Sequence, residues 1–234
     1  MILADELIEI LSNKKEDLKF INFQSKIINT NLKIMGVKVP NLRKFAKEFY
    51  KSKTEIEFNE KTDIYFECVL LEGLLIAFET DKDKLKDKLE KFFVKMDNWA
   101  VVDMVVSSLI AFKKNLSNDD FEYFKSLLKL KNIFTVRFGI VCLLKFFGDK
   151  KHNKEVFEAL ETVICGEYYV DMAIAWLISE IIIQNPQNAE KIVEKIKLIN
   201  NLNQFIVNKS VQKVCESFRI NDEIKKKLRK MKVK

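Results

Sequence analysis

Glycine and proline are scarce, five and two residues in a chain of 234. A β-sandwich or barrel needs turn residues about every 8 to 12 positions, so both are excluded. Long apolar runs are also missing. None approaches the roughly 18 residues of a membrane span, and the opening "MILADELIEI" is acidic and amphipathic, unlike a leader peptide. Histidine occurs once, at His152, and the four cysteines (Cys68, Cys142, Cys165, Cys215) stand singly with no CxxC. These residues read as buried reduced thiols rather than a metal set, so neither a metal nor a cofactor is expected. The expectation is a soluble, cytoplasmic monomer.

Basic charge is abundant only at one end. The net charge is +7, but "NDEIKKKLRKMKVK" (221–234) carries seven basic and two acidic residues, leaving the other 220 residues at +2. This segment reads as a basic C-terminal helix or tail, which adds salt-sensitive affinity for phosphates or is simply a solvated end.

What the chain has in quantity is helix-forming and apolar: 48% of residues are hydrophobic, recurring at spacings of three and four. Short polar stretches such as "NKKED", "KNLSNDD", "GDKKHNKE" and "QNPQNAE" interrupt them, which predicts about a dozen helices. The more apolar helices start near Asp63, Asn98, Asn132, Tyr168 and Leu202, at intervals of 35, 34, 36 and 34 residues. Helices richer in Lys and Glu fall between them, near 82–95, 118–129, 152–165 and 187–197. The "SNDDFEYF" segment starts one of these with an N-cap, and Pro40 in "GVKVPNLRKFAKEF" starts an earlier helix. A two-helix repeat without strand signals predicts an all-α solenoid of antiparallel HEAT-like pairs over residues 1–234, in one domain.

The stretch "MDNWAVVDMVVSS" (96–108) concentrates the chemistry. With Asp97 or Asn98 as N-cap, Trp99 and Asp103 lie one turn apart at the edge of an apolar arc, their side chains facing the same space. Arg137 in "NIFTVRFGIVCLLKFF" sits at the same offset from its helix start, and "YYVDMAIAWLISEIII" brings the second tryptophan, Trp176. Equal offsets on consecutive helices of one solenoid layer project to one face. Spacing alone leaves two readings open, a packing edge with a structural ion pair or a site. Glu67 and Glu72 in "YFECVLLEGLLIAF" either face the same layer or are solvated helix glutamates, the latter being the usual case, and nothing in the spacing of the basic Lys26, Lys38 and Arg43 assigns them a role.

"NWAVVD", "NIFTVRFGI" and "MAIAWLISE", in this order and with "GVKVPNLRKFAKEF" before them, resemble the AlkD-type family of bacterial DNA alkylation repair glycosylases. The resemblance covers most of the chain. It implies a right-handed HEAT-like solenoid whose concave cleft holds duplex DNA with alkylated bases. It also implies that Trp99, Asp103, Arg137 and Trp176 face that DNA. Lys209 and Lys213 in "FIVNKSVQKVCESFRI" add DNA contacts, with Arg219 beyond them. The implied activity is hydrolysis of the N-glycosidic bond of cationic purines such as N7-methylguanine and N3-methyladenine, without flipping the base into a pocket. The sequence departs from the family at Asn98 and Ala100, where an aromatic and an acid flank the tryptophan, and at Asp171, Met172 and Ser179, where a Gln-Lys pair and an Arg are usual. The alternative is a non-catalytic HEAT-like module for a protein or unusual DNA structures.

Overall fold

Asparagine opens three of the most apolar helices. Asn98 accepts from the Val101 N–H, Asn132 from those of Phe134 and Thr135, and Asn203 from that of Ile206, all at 3.0 Å. Each satisfies first-turn donors that would otherwise be orphaned. These helices recur in a computed structural model that describes residues 1–233. It has thirteen α-helices and no strand among those residues, in two compact units.

The N-terminal unit, Met1–Lys114, holds α1 (Ala4–Ser12), α2 (Leu18–Ile28), α3 (Val39–Lys51), α4 (Phe66–Ile76), α5 (Lys82–Phe92) and α6 (Trp99–Ser108). Helix α4 is its centre. Phe66, Cys68, Val69, Leu70, Leu71 and Leu74 are buried, because α1, α3, α5 and α6 all pack on it. A helix packed on most sides reads as apolar nearly throughout rather than as a stripe, and only Glu72, Leu75 and Ile76 of α4 are partly open. Gly73 permits the closest approach: a Cβ there would lie 2.5 Å from Val105 Cγ2 and 2.8 Å from Phe92 Cζ.

The second unit, from Asn115 onward, holds α7 (Asn118–Leu127), α8 (Ile133–Phe147), α9 (Asn153–Leu160), α10 (Tyr168–Gln184), α11 (Ala189–Lys197), α12 (Gln204–Glu216) and α13 (Asp222–Lys230). Helix α10 lies between α8 and α12, and the more polar α7, α9 and α11 pack beside this layer. α13 packs against α11 and α12, so most of the basic C-terminal stretch is helix; its last residue, Lys234, lies outside the described residues.

The alternating helix types match the sequence expectation. The apolar helices α4, α6, α8, α10 and α12 begin at Phe66, Trp99, Ile133, Tyr168 and Gln204, intervals of 33, 34, 35 and 36 residues. Ser117 and Asp120 form a reciprocal capping box at the start of α7, and Pro40 lies in the first turn of α3. Two expectations need correction. Only Cys68 and Cys142 are fully buried, while Cys165 and Cys215 are partly exposed. Glu67 is not solvated but fully enclosed, and Glu72 is bonded to Lys95 at 2.9 Å. No described helix is long and apolar enough to cross a membrane.

Candidate functional site

Trp99 and Asp103 occupy the first and fifth positions of α6, one turn apart and both partly exposed. The indole is held in place by its edge. Its Nε1–H donates to the Ile27 carbonyl near the end of α2 at 3.1 Å, so the ring offers a ligand its π face rather than its N–H. A π face attracts cations, and a carboxylate one turn away adds a negative charge to the same helix edge.

The junction that holds Trp99 is built around Asp97. Its carboxylate accepts from Thr30 Oγ1 at 2.7 Å, from the Asn31 N–H at 2.8 Å and from Asn98 Nδ2 at 2.7 Å. Asn29, just before, takes the left-handed conformation with φ 51° and turns the chain out of α2. Asp97 therefore fastens the turn after α2 to the start of α6. The division of labour between Asp97 and Asn98, open in the sequence, is settled: Asn98 caps the helix and Asp97 holds the neighbouring loop.

The same loop is gripped at its far end by Glu67 of α4. Oε1 accepts from the N–H groups of Gly36 (2.7 Å) and Val37 (3.1 Å), and Oε2 from that of Met35 (2.9 Å). Burial pushes the carboxyl above the usual glutamate range, against these three bonds, which pull it down. Gly36 has φ +93°, and a Cβ there would meet Ile21 Cγ1, so only glycine serves this turn. Residues 29–37 are thus tied at both ends by buried or half-buried carboxylates.

The other proposed site residues lie in the second unit. Arg137 is the fifth residue of α8, the same register as Asp103 in α6, but it is only 6% exposed. Its Nη1–H donates to the Tyr169 carbonyl at 2.8 Å, linking α8 to α10. Trp176 of α10 and Lys213 of α12 line one shared cavity of about 250 Å³, with Arg219 at its side. Arg219 is bonded to Glu180 at 2.6 Å, and Glu216 also lines the cavity, so its two cations face two acids. Lys209 lies elsewhere, one turn before Lys213, with Nζ 3.1 Å from Gln212 Oε1 and over the Phe205 ring.

The positions that depart from the family pattern have internal uses. Asn98 and Ala100 are buried, Asn98 as the cap just described. Asp171 is 3% exposed and accepts from the Gly166 N–H (3.0 Å) and Asn203 Nδ2 (2.7 Å), so its charge is turned inward. Ser179 donates to the Trp176 carbonyl at 2.7 Å. Among the basic N-terminal positions, Lys38 pairs with Glu16 at 3.1 Å. Arg43 donates to Ser107 and Ser108 at the end of α6, where a cation suits the helix dipole.

Sequence reasoning missed Glu67 and underrated Asp97. Their partners lie about 30 and 66 residues away along the chain, a distance no local pattern encodes. Among the described residues no group of three His, Cys, Asp or Glu side chains is arranged to hold a metal ion.

Alternating apolar and polar helices at a 33-to-36-residue period define an all-α helical-repeat protein, with a tryptophan and an aspartate on one partly exposed edge of α6. Residues 10–214 match the family model described as DNA alkylation repair enzyme. The chain belongs to that family, which assigns it a role in DNA alkylation repair and points to DNA as its partner. Among curated proteins no match is found.

Proposed function

We propose that the protein is a DNA glycosylase that hydrolyses the N-glycosidic bond of cationic alkylated purines, N7-methylguanine and N3-methyladenine, in duplex DNA. One observation carries the reading: in a chain of the alkylation-repair family, Trp99 and Asp103 share a partly exposed edge of α6, with the indole oriented by its bond to Ile27. The reading includes one continuous right-handed solenoid whose concave cleft takes the duplex, acting as a cytoplasmic monomer without metal or cofactor.

Alkylation at N3 or N7 has already made the purine a good leaving group, so no proton need be delivered to it. As the C1′–N bond breaks, its electron pair goes to the purine, which leaves neutral, and positive charge develops on the sugar. Asp103 stabilises that charge and orients the water whose oxygen bonds to C1′ and whose proton passes to solvent. Trp99 and Trp176 contact the damaged nucleotide through their π faces, an attraction of about 0.5–2 kcal/mol for a cation. Arg137 holds a backbone phosphate in register through its narrow exposed surface, and Lys209 and Lys213 add DNA contacts.

The test is release of methylpurine from methylated duplex DNA. Wild type should release base, and Asp103→Asn should lower the rate roughly 100-fold or more at unchanged stability. No release by homogeneous wild type would refute the enzyme reading. A second reading, a non-catalytic module for a protein or unusual DNA structures, draws support from the Trp176 cavity, where Lys213 and Arg219 are matched by Glu180 and Glu216. It expects no base release and unchanged partner affinity in Asp103→Asn.

A further inference from the structure

A cavity of about 610 Å³ in the N-terminal unit lies between α3, α4, α5 and the extended segment after α3. That volume is within the range of sites that enclose small organic ligands, roughly 300–1,000 Å³. Phe49 and Tyr50 of α3, Ile56 and Phe58 of the extended segment, and Leu75 and Ile76 of α4 make its apolar lining. Tyr50 is 49% exposed, and its ring is steadied against Phe78, with centroids 5.1 Å apart. These side chains remain partly open to water although the core lies directly beneath them.

The charges of the groove are unequally committed. Glu79 binds Lys88 at 2.7 Å and also accepts from the backbone of Thr80 and Asp81, and Lys88 holds its carboxyl below the usual range. Glu72 binds Lys95 at 2.9 Å, which in turn reaches Asp63. Both acids that line the groove are therefore neutralised by their own lysines. Lys53 and Lys91, which also line it, form no ion pair among the described residues. Lys53 adopts φ 51°, a left-handed conformation more often given to Gly or Asn, at the point where the chain leaves α3 to form one wall.

We propose that this groove binds an amphipathic monoanion, a free medium-chain acyl carboxylate, with its chain on the Phe49, Phe58, Leu75 and Ile76 surface and its carboxylate at Lys53 and Lys91. The groove follows the last turn of α4 from Glu72 to Ile76, about 6 Å at 1.5 Å per residue, and runs on past the helix end to Glu79, so it suits a medium-length acyl chain rather than a long one. An apolar cation would meet two unpaired lysines, and an apolar alcohol would leave them unmatched. This site is separate in residues and in chemistry from the Trp99 and Asp103 edge, and it stands whether or not the protein is a glycosylase.

The experiment uses the full chain and the fluorescence of 1-anilinonaphthalene-8-sulfonate, an apolar monoanion, displaced by decanoate, decanol or decyltrimethylammonium. The expected result is one probe per chain, displaced by decanoate at concentrations at least tenfold lower than by either other compound. Ile76→Asp, which puts a carboxylate into the apolar lining, should weaken probe binding at least tenfold. Lys53→Glu with Lys91→Glu, both on exposed positions, should weaken decanoate about tenfold with helical content unchanged. Equal displacement by decanol or decyltrimethylammonium would overturn the proposal, as would probe binding indifferent to both variants. Failure of decanoate to displace the probe would remove the acyl carboxylate and leave the groove to a larger polypeptide occupant.

Discussion

Glu67→Gln is the sharpest test of how the Trp99 junction is held. The Gln carbonyl can replace Oε1 and keep the Gly36 and Val37 bonds, but its amide NH2 would then face the Met35 N–H, donor against donor. A stranded buried donor costs about 1–3 kcal/mol, and hydrogen bonds to a charged group are worth about twice those to a neutral one, so the two retained bonds lose roughly 1 kcal/mol each. Against this stands relief from burying a charge in a site that is 0% exposed, the effect that lifts the carboxyl above its usual range. The net expectation is a loss of about 2 kcal/mol, a urea midpoint roughly 1 M lower at a slope of about 2 kcal/mol per molar. The assay is tryptophan emission in a Trp176→Phe background, where Trp99 reports from the unit that contains Glu67. A midpoint unchanged or raised would show that the three amides do not depend on this carboxylate, and the reasoning would fail.

Three further outcomes follow from the same geometry. Native protein binds the Glu67 proton more tightly than the unfolded chain, so wild-type stability should fall as pH rises from the ordinary carboxylate range through the lifted value. Denaturation midpoints of Glu67→Gln should lack that slope, and parallel pH curves would contradict it. Asp97→Ala removes the acceptor of Thr30, Asn31 and Asn98, so Trp99 emission should shift to the red and amide exchange in residues 29–31 should rise at least tenfold, with helical content preserved. Unchanged exchange there would refute the fastening role. Burial pushes the Cys68 and Cys165 thiols up to about 12 and Cys142 well above its ordinary range, so these three should resist iodoacetamide at pH 8 until urea is added. Labelling of Cys142 at the unfolded rate would disprove its enclosure.

The repeat was legible because it is written in local chemistry. Apolar residues at helical spacing, Asn98, Asn132 and Asn203 at helix starts, and Ser117 with Asp120 at a polar one act within four residues of themselves. The Trp99 and Asp103 pair was legible for the same reason, since a helix brings residues four apart together whatever it packs against. Misreadings occurred where burial decides a side chain's task. Glu67 lies on the covered side of α4, 0% exposed, so its charge had to find partners inside. Arg137, expected on the DNA-facing side, donates to the Tyr169 carbonyl and is almost covered where α8 packs against α10.

Sequence alone carries the helical class, the period, the caps and the residues of the α6 edge, because each depends on neighbours along the chain. The tertiary structure decided which carboxylates are structural and which lysines are committed. It also grouped Lys213 with Trp176, leaving Lys209 one turn away. These are properties of distance through space: a carboxylate is a clamp or a solvated charge according to which backbone amides lie within about 3 Å of it. At Asp97 and Glu67 those amides come from residues 29–37, brought there only when α2, α4 and α6 have packed.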